Sequence, residues 1–334
     1  MTGQTATSLA LPVLDGALEA RLRERLGQVE ARLEREVHSE APFVTEACRH
    51  LLHAGGKRFR PLLMLLAAEV ADAVADGVLT AACVVELTHL ASLYHDDVMD
   101  EAALRRGADS ANARWDNHVA ILAGDWLFSK SSELTAELGP DAVRIQANTF
   151  SRLVEGQILE TQPPQQGQDL LDHYLRVVAG KTGSLIATSA RYGAMFAGAD
   201  PDVVTALTEY GDKVGVAFQL SDDILDVGSE SEESGKTPGT DLREGVPTLP
   251  SLLARRSTEP GDARLVELLG GPLVDDALHA EALALLRSHG AMQEARSYVL
   301  GLAREAAQRL VVLPESPAKD ALVAFAELIA TRSA

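Results

Sequence analysis

The chain has 334 residues, 46% of them hydrophobic but only 4% aromatic, and a formal net charge of −19. That length allows a large core, and the excess of acid leaves no basic stripe for nucleic acid or an anionic membrane. Ala and Leu dominate, with little of the β-branched and aromatic alternation that strands need, so the fold class expected is all-α.

Residues 14–38 place Leu18, Leu22, Leu26, Val29 and Leu33 at helical spacing, with Glu and Arg on the opposite face. A second helix follows Pro42 and stops at Gly55-Gly56, and a third opens at Lys57-Arg58-Phe59-Arg60-Pro61, where an early Pro is harmless. Further helices are expected over 78–103, 112–137, 141–161, 170–198, 202–227, 289–311 and 316–332. The stretch 162–169 reads as a loop, and 228–245 as a polar, mobile lid. No shift in composition marks a boundary, so 1–334 is expected to be one domain, with 1–12 flexible. No run reaches ~20 uncharged apolar residues and the first residues lack a basic n-region, so neither a membrane span nor a signal peptide is expected, and the cytoplasm is the expected location. Cys48 and Cys83, in apolar surroundings, read as small core residues.

Two acidic clusters organise this chain. Asp96, Asp97 and Asp100 end an apolar helical run with DDxxD spacing, and Asp222, Asp223 and Asp226 repeat the pattern. On a helix the i, i+4 pair lies on one face, about 6 Å apart along the axis. Like charges so placed repel unless a cation binds, and carboxylates without thiol or imidazole partners select hard divalent ions. One such cluster is as readily a solvated helix end. Two of them, each after an apolar helix, point to a divalent-metal cage.

Several other residues gain meaning from these clusters. Lys57 and Arg60 stand at a helix start, where backbone N–H groups and guanidinium forks suit a diphosphate, although alone they would be a basic loop. Arg105 and Arg106 leave the first cluster and would otherwise be surface charges. His89 lies two turns before Asp96 on the same face; a lone histidine there is more often a core residue. Lys181, Thr182, Gln219 and Lys236 would attract no attention alone.

Taken together, residues 50–250 resemble the trans-prenyltransferases, the polyprenyl synthetase family of isoprenyl diphosphate synthases. The resemblance rests on Gly56-Lys57-Arg58-Phe59-Arg60-Pro61, Leu93-Tyr94-His95-Asp96-Asp97-Val98-Met99-Asp100 with Arg105-Arg106-Gly107, Gly124-Asp125, Glu155-Gly156-Gln157, Lys181-Thr182, the segment from Phe218-Gln219 through Asp222-Asp223 to Asp226, and Gly235-Lys236 through Gly239-Thr240-Asp241. It implies a helical bundle around a deep cavity, three Mg²⁺ ions and a homodimer. It also implies condensation of isopentenyl diphosphate with an allylic diphosphate. By the same resemblance Asp96, Asp100, Asp222 and Asp226 hold metal, with Asp97 and Asp223 in support. Arg105, Lys181 and Lys236 would meet the allylic diphosphate; Lys57, Arg60, His89 and Arg106 would meet isopentenyl diphosphate; Thr182 and Gln219 would flank the reacting carbon. Val246 stands where many members have Lys.

In this family bulky residues four and five before the first aspartate stop chain growth. Here those positions are Ser92 and Ala91, with Thr88 below, all small, so a medium- or long-chain product is expected. A bulky residue on another helix, such as Phe150 or Met64, would instead give geranylgeranyl or farnesyl diphosphate. A class I terpene cyclase would need no Lys57, Arg60 or Arg106, and a non-catalytic regulatory subunit would tend to lose its acidic clusters.

Overall fold

The computed structural model describes residues 15–229 and 238–332, so the expected flexible start and Lys236 lie outside the described residues. The chain forms two compact units, one from residues 1–150, 188–208 and 312–322 and the other from 151–187, 209–311 and 323–334. The all-α expectation holds. A two-residue hairpin, β1 (Leu104–Arg105) paired antiparallel with β2 (Ala108–Asp109), is the one sheet among the described residues.

The first unit opens with α1 (Gly16–Glu36), capped by Asp15, whose carboxylate accepts from the N–H groups of Ala17 and Leu18. Such a cap contributes about 1 kcal/mol. Leu18, Leu22, Val29 and Leu33 bury one face, as the spacing predicts. After α2 (Pro42–His53) and α3 (Phe59–Ala68) comes α4 (Asp76–Met99), which carries the first acidic cluster at its end. By length and composition α4 could cross a membrane, but 72% of its most apolar window is buried within the protein, and it serves as a core helix. Each fully buried Leu or Val contributes about 1.5–3 kcal/mol.

Three expected helices are corrected. The helix expected over 78–103 ends at Met99, because Asp100 caps it and the chain then turns into the hairpin. The helix expected over 112–137 is α5 (Ala111–Arg114) followed by α6 (Asn117–Glu137). The break comes where Asp116 turns extended and its side chain accepts from Val119 N–H at 2.8 Å. The helix expected over 170–198 is α8 (Leu170–Val178), a π-helical turn over Ala179–Gly183, and α9 (Ser184–Phe196). Single π turns of this kind cluster at functional sites.

The remaining elements are α7 (Pro140–Glu160), α10 (Pro201–Gly228), α11 (Thr240–Glu244), α12 (Leu249–Ala254), α13 (Ala263–Leu268), α14 (Asp276–Ser288), α15 (Gly290–Arg309) and α16 (Pro317–Thr331). Part of the expected lid is helical in α11, and Gly239 is pinned: its N–H donates to Asp226 O at 2.8 Å and its carbonyl lies 2.8 Å from His279 Nε2. Val246 is 39% exposed, and its N–H donates to Asp241 O at 2.8 Å. Cys48 and Cys83 are free and buried, and burial pushes both thiols up to about 12.

Candidate active site

Both acidic clusters sit at helix C-termini. Asp96 and Asp97 lie in the last turn of α4 with Asp100 as its cap, and Asp222, Asp223 and Asp226 occupy the last two turns of α10. Neither helix has a basic residue in its last turn. The helix dipole is negative there, so each carboxylate costs about 0.3–1 kcal/mol on top of mutual repulsion. Outside cations must offset this, and each unit supplies some of them.

In the first unit Arg105 Nε donates to Asp97 Oδ1 at 2.6 Å from the hairpin. Asp97 is fully buried, and its Oδ2 has no hydrogen-bond partner. Burial raises the Asp97 pKa, and Arg105 acts in the opposite direction. Arg105, expected at the allylic diphosphate, is thus engaged with a carboxylate. Arg106 turns the hairpin at φ 56° and donates to Leu51 O at 3.1 Å and to Gly55 O. Its guanidinium occupies the space over Gly56, where an added Cβ would lie 2.8 Å from Nη1, and Gly56 has φ +147°, a conformation that favours glycine.

Among the described residues Arg58, Glu101 and Arg106 are the non-glycine residues with positive φ, and all three border this region. Strained backbone of this kind is retained where the surrounding structure holds it, commonly at functional sites. Arg58 bonds to Glu86 at 2.8 Å, to Leu52 O at 3.0 Å and to Glu30. Burial disfavours its charge, yet Glu30 and Glu86 hold its pKa above the ordinary value. It is a structural arginine that supports the loop.

Arg60 behaves differently. Its Nε is buried without a hydrogen-bond partner, and burial, reinforced by Arg106 against the pull of Glu86, lowers its pKa to about 10. It remains charged near neutrality. His89 is held well below its usual range by burial and then by Arg60, Arg106, Arg58 and Arg105, so it is neutral. A neutral imidazole among arginines, one of them with an unsatisfied donor, is a ready anion site. Lys57 is exposed beside it.

The floor residues divide. Ala91 and Thr88 are fully buried, whereas Ser92, His89 and Asp96 keep accessible surface on one face of α4. Thr88 Oγ1 donates to Val84 O at 2.8 Å, lies 2.8 Å from Ser131 Oγ and accepts from Gln146 Nε2 at 2.5 Å. Phe150 packs against Phe128 with the rings tilted at 55° and centroids 4.4 Å apart, and Met64 is sealed in the core.

In the second unit the π turn carries Lys181 and Thr182. Gly156 of α7 permits this, since a Cβ there would meet Lys181 N at 2.3 Å. Lys181 Nζ bonds to Glu160 at 2.5 Å. Thr182 Oγ1 donates to Gln219 Oε1 at 3.0 Å, and Gln219 Nε2 donates to Asp223 Oδ1 at 3.0 Å. Tyr174 OH donates to the other oxygen, Asp223 Oδ2. Burial raises Asp223 to about 6 despite these two bonds. Tyr174 gave no sequence signal, because α8 reads as a plain amphipathic helix. Asp226 accepts from Thr240 N–H at 3.3 Å and Asp241 N–H at 3.2 Å. Asp222 pairs with Arg332 at 2.7 Å.

Among the described residues no three His, Cys, Asp or Glu side chains are grouped to hold an ion as they stand, since several of these carboxylates are turned to protein donors. The donor set nevertheless fits a hard divalent cation. The cluster donors are all carboxylate oxygens, at dipole-negative helix ends, and Asp97 Oδ2 is buried without a partner.

The family model for polyprenyl synthetases matches residues 41–286. The chain is 48% identical over 321 residues to a nonaprenyl diphosphate synthase of Mycobacterium tuberculosis, covering 95% of each chain. Among solved structures it is similar to a geranylgeranyl pyrophosphate synthase from Corynebacterium glutamicum complexed with calcium and isoprenyl diphosphate. The identity there is 47% and the TM-score 0.86, over 95% of this chain and 98% of that one. A decaprenyl diphosphate synthase from Rhodobacter capsulatus matches at 35% identity and TM-score 0.86, over 95% and 99%. The chain belongs to the polyprenyl synthetase family.

Proposed function

We propose that this chain condenses isopentenyl diphosphate head-to-tail with an allylic diphosphate, giving an all-trans polyprenyl diphosphate of medium or long chain. As a member of its family it is a trans-prenyltransferase. The observation that carries the reading is the anion site of the first unit, where Arg60 and Arg106 surround neutral His89 two turns from Asp96 on α4. A cyclase that takes one diphosphate has no use for it. We treat both units as parts of one catalytic domain, because the family match runs through both.

Asp96, Asp100, Asp222 and Asp226 are the proposed ligands of Mg²⁺, which when bound neutralises charge building on the departing diphosphate. Lys57, Arg60, His89 and Arg106 hold isopentenyl diphosphate, and Lys181 contacts the allylic diphosphate. Lys236 has the same proposed role from outside the described residues. Arg105 has the same proposed role, and its bond to Asp97 also fixes the end of α4. Thr182 and Gln219 are held in place by Asp223 and Tyr174, and they offer hydroxyl and amide oxygens beside the allylic carbon as it becomes cationic. Holding the acceptor alkene near that carbon favours its attack over that of water.

The small side chain of Ser92, one turn below Asp96 on the accessible face, supports a long tail. A geranylgeranyl product is the second reading, favoured by the sealed burial of Ala91 and Thr88. We also propose a homodimer, supported by Ile121 and Leu122 exposed side by side on α6. Purified protein with Mg²⁺, isopentenyl diphosphate and farnesyl diphosphate, followed by mass spectrometry, tests the function: several added C5 units support it, one supports the shorter product, and a hydrocarbon or no product overturns it.

A further inference from the structure

The end of α10 gathers three carboxylates with no basic residue in the helix's last turn to offset them. One cation that meets them comes from far along the chain. Arg332, just past α16, places its guanidinium 4.3 Å over the Phe218 ring. Its Nη2 donates to Phe218 O at 2.6 Å and reaches Asp222 Oδ1 at 2.7 Å. Its Nε donates to Ser221 Oγ at 3.1 Å, and Ser221 Oγ in turn donates to Ile329 O at 2.8 Å. The guanidinium is therefore fixed by a ring face, a carbonyl and a tethered hydroxyl, independently of the carboxylate it meets. The exposures differ in a telling way: the Arg332 side chain is 22% exposed and that of Asp222 46%. The cation is anchored, and the carboxylate is the partner that faces outward.

We propose that Arg332 is a positioning residue for Asp222: it holds Oδ1 and so fixes the rotamer in which this carboxylate addresses a divalent cation. The inference rests on the reading of Asp222 as a metal ligand. Ligand carboxylates are commonly held by a second partner, and loss of that partner typically weakens metal affinity about 10–100-fold. A planar guanidinium suits the task because it can stack on Phe218 while its N–H groups serve three acceptors; an ammonium cannot do both. The opposite role, a competitor that leaves when metal arrives, predicts tighter binding once Arg332 is removed.

The test is Mn²⁺ binding to the full chain, read from the EPR signal of the free ion with inorganic pyrophosphate present. Wild type, Asp222→Asn, Arg332→Leu and Arg332→Lys are compared, with thermal melts of each metal-free protein. Asp222→Asn is expected to lose one class of ion. Arg332→Leu should weaken that same class 10–100-fold, and Arg332→Lys should fall between it and wild type. Should Arg332→Leu fail to fold, the intermediate affinity of Arg332→Lys decides. Asp222→Asn binding like wild type overturns the ligand reading itself. Loss in Asp222→Asn with unchanged affinity in the Arg332 variants, even if their metal-free melts fall, overturns the positioning role, and tighter binding makes Arg332 a competitor.

Discussion

Arg105 Nε lies 2.6 Å from Asp97 Oδ1, tying the β1–β2 hairpin to the last turn of α4. The aspartate is fully buried and the arginine side chain 27% exposed, so the pair resembles an interior ion pair more than a surface one. Breaking a buried pair from one side leaves an uncompensated charge and costs about 3–5 kcal/mol. Arg105→Ala is expected to lose stability at the low end of that range, about 3 kcal/mol, by urea denaturation. Adding Asp97→Asn should recover much of the loss, because the amide carries no charge to strand. A double variant as unstable as Arg105→Ala would show that the hairpin matters for packing alone.

Gly56 and Arg106 make a second, sharper prediction. A methyl group at Gly56 would sit 2.8 Å from Arg106 Nη1 on backbone at φ +147°. Gly56→Ala should displace the guanidinium from the carbonyls of Leu51 and Gly55 and from its proposed diphosphate. A lost hydrogen bond to a charged group is worth roughly 1.5–3 kcal/mol, so the KM for isopentenyl diphosphate should rise about tenfold or more. The allylic KM should change much less. Equal rises in both would contradict the division of the two substrates.

How far these relationships were legible in the sequence depends on their range along the chain. Asp96 and Asp100, or Asp222 and Asp226, lie a turn apart, so helical periodicity alone pairs them. Arg60, His89 and Arg106 come from three segments, and only the family resemblance joined them. Tyr174 reaches Asp223 across 49 positions and Arg332 reaches Ser221 across 111, with no local pattern to announce either. The π turn at Ala179–Gly183 is illegible in the sequence for a different reason. Its residues satisfy helical patterning, and the extra residue follows from the close approach to Gly156, a tertiary fact. Burial separates two floor residues that the sequence does not: Ala91 and Ser92 are both small, but of the two only Ser92 keeps accessible surface.

Asp223 gives a pH prediction for the metal-free protein. Its pKa of about 6 in the folded chain stands above the ordinary carboxylate value of 3.8. The folded state therefore binds this proton more tightly, and the group's contribution to stability falls as pH rises from about 4 to about 6. Tyr174 and Gln219 hold the value down by donating to the carboxylate. Tyr174→Phe should push it up further, steepening the loss of stability towards neutral pH. Denaturation midpoints between pH 4 and 8 in the presence of chelator measure this. A shallower profile in the variant would mean that the tyrosine does not serve the charged form.

The face of α4 that ends in Asp96 also decides where a growing product is stopped. Ser92 lies one turn before Asp96 on the accessible side of the helix, and a phenylalanine there would stand in the path of an apolar tail leaving the diphosphate site. Ser92→Phe should shorten the product by at least one C5 unit with the turnover of short primers largely kept. Ala91→Phe acts through another route. Ala91 has no accessible surface, so the ring must be forced into a filled core, and overpacking of that kind costs about 1–3 kcal/mol. Its expected signature is a lower melting temperature with any change of product secondary. Mass spectrometry of products from the two variants, beside their thermal melts, separates the cases. A product shortened by Ala91→Phe but not by Ser92→Phe would place the tail on the opposite side of α4 from the one inferred from exposure.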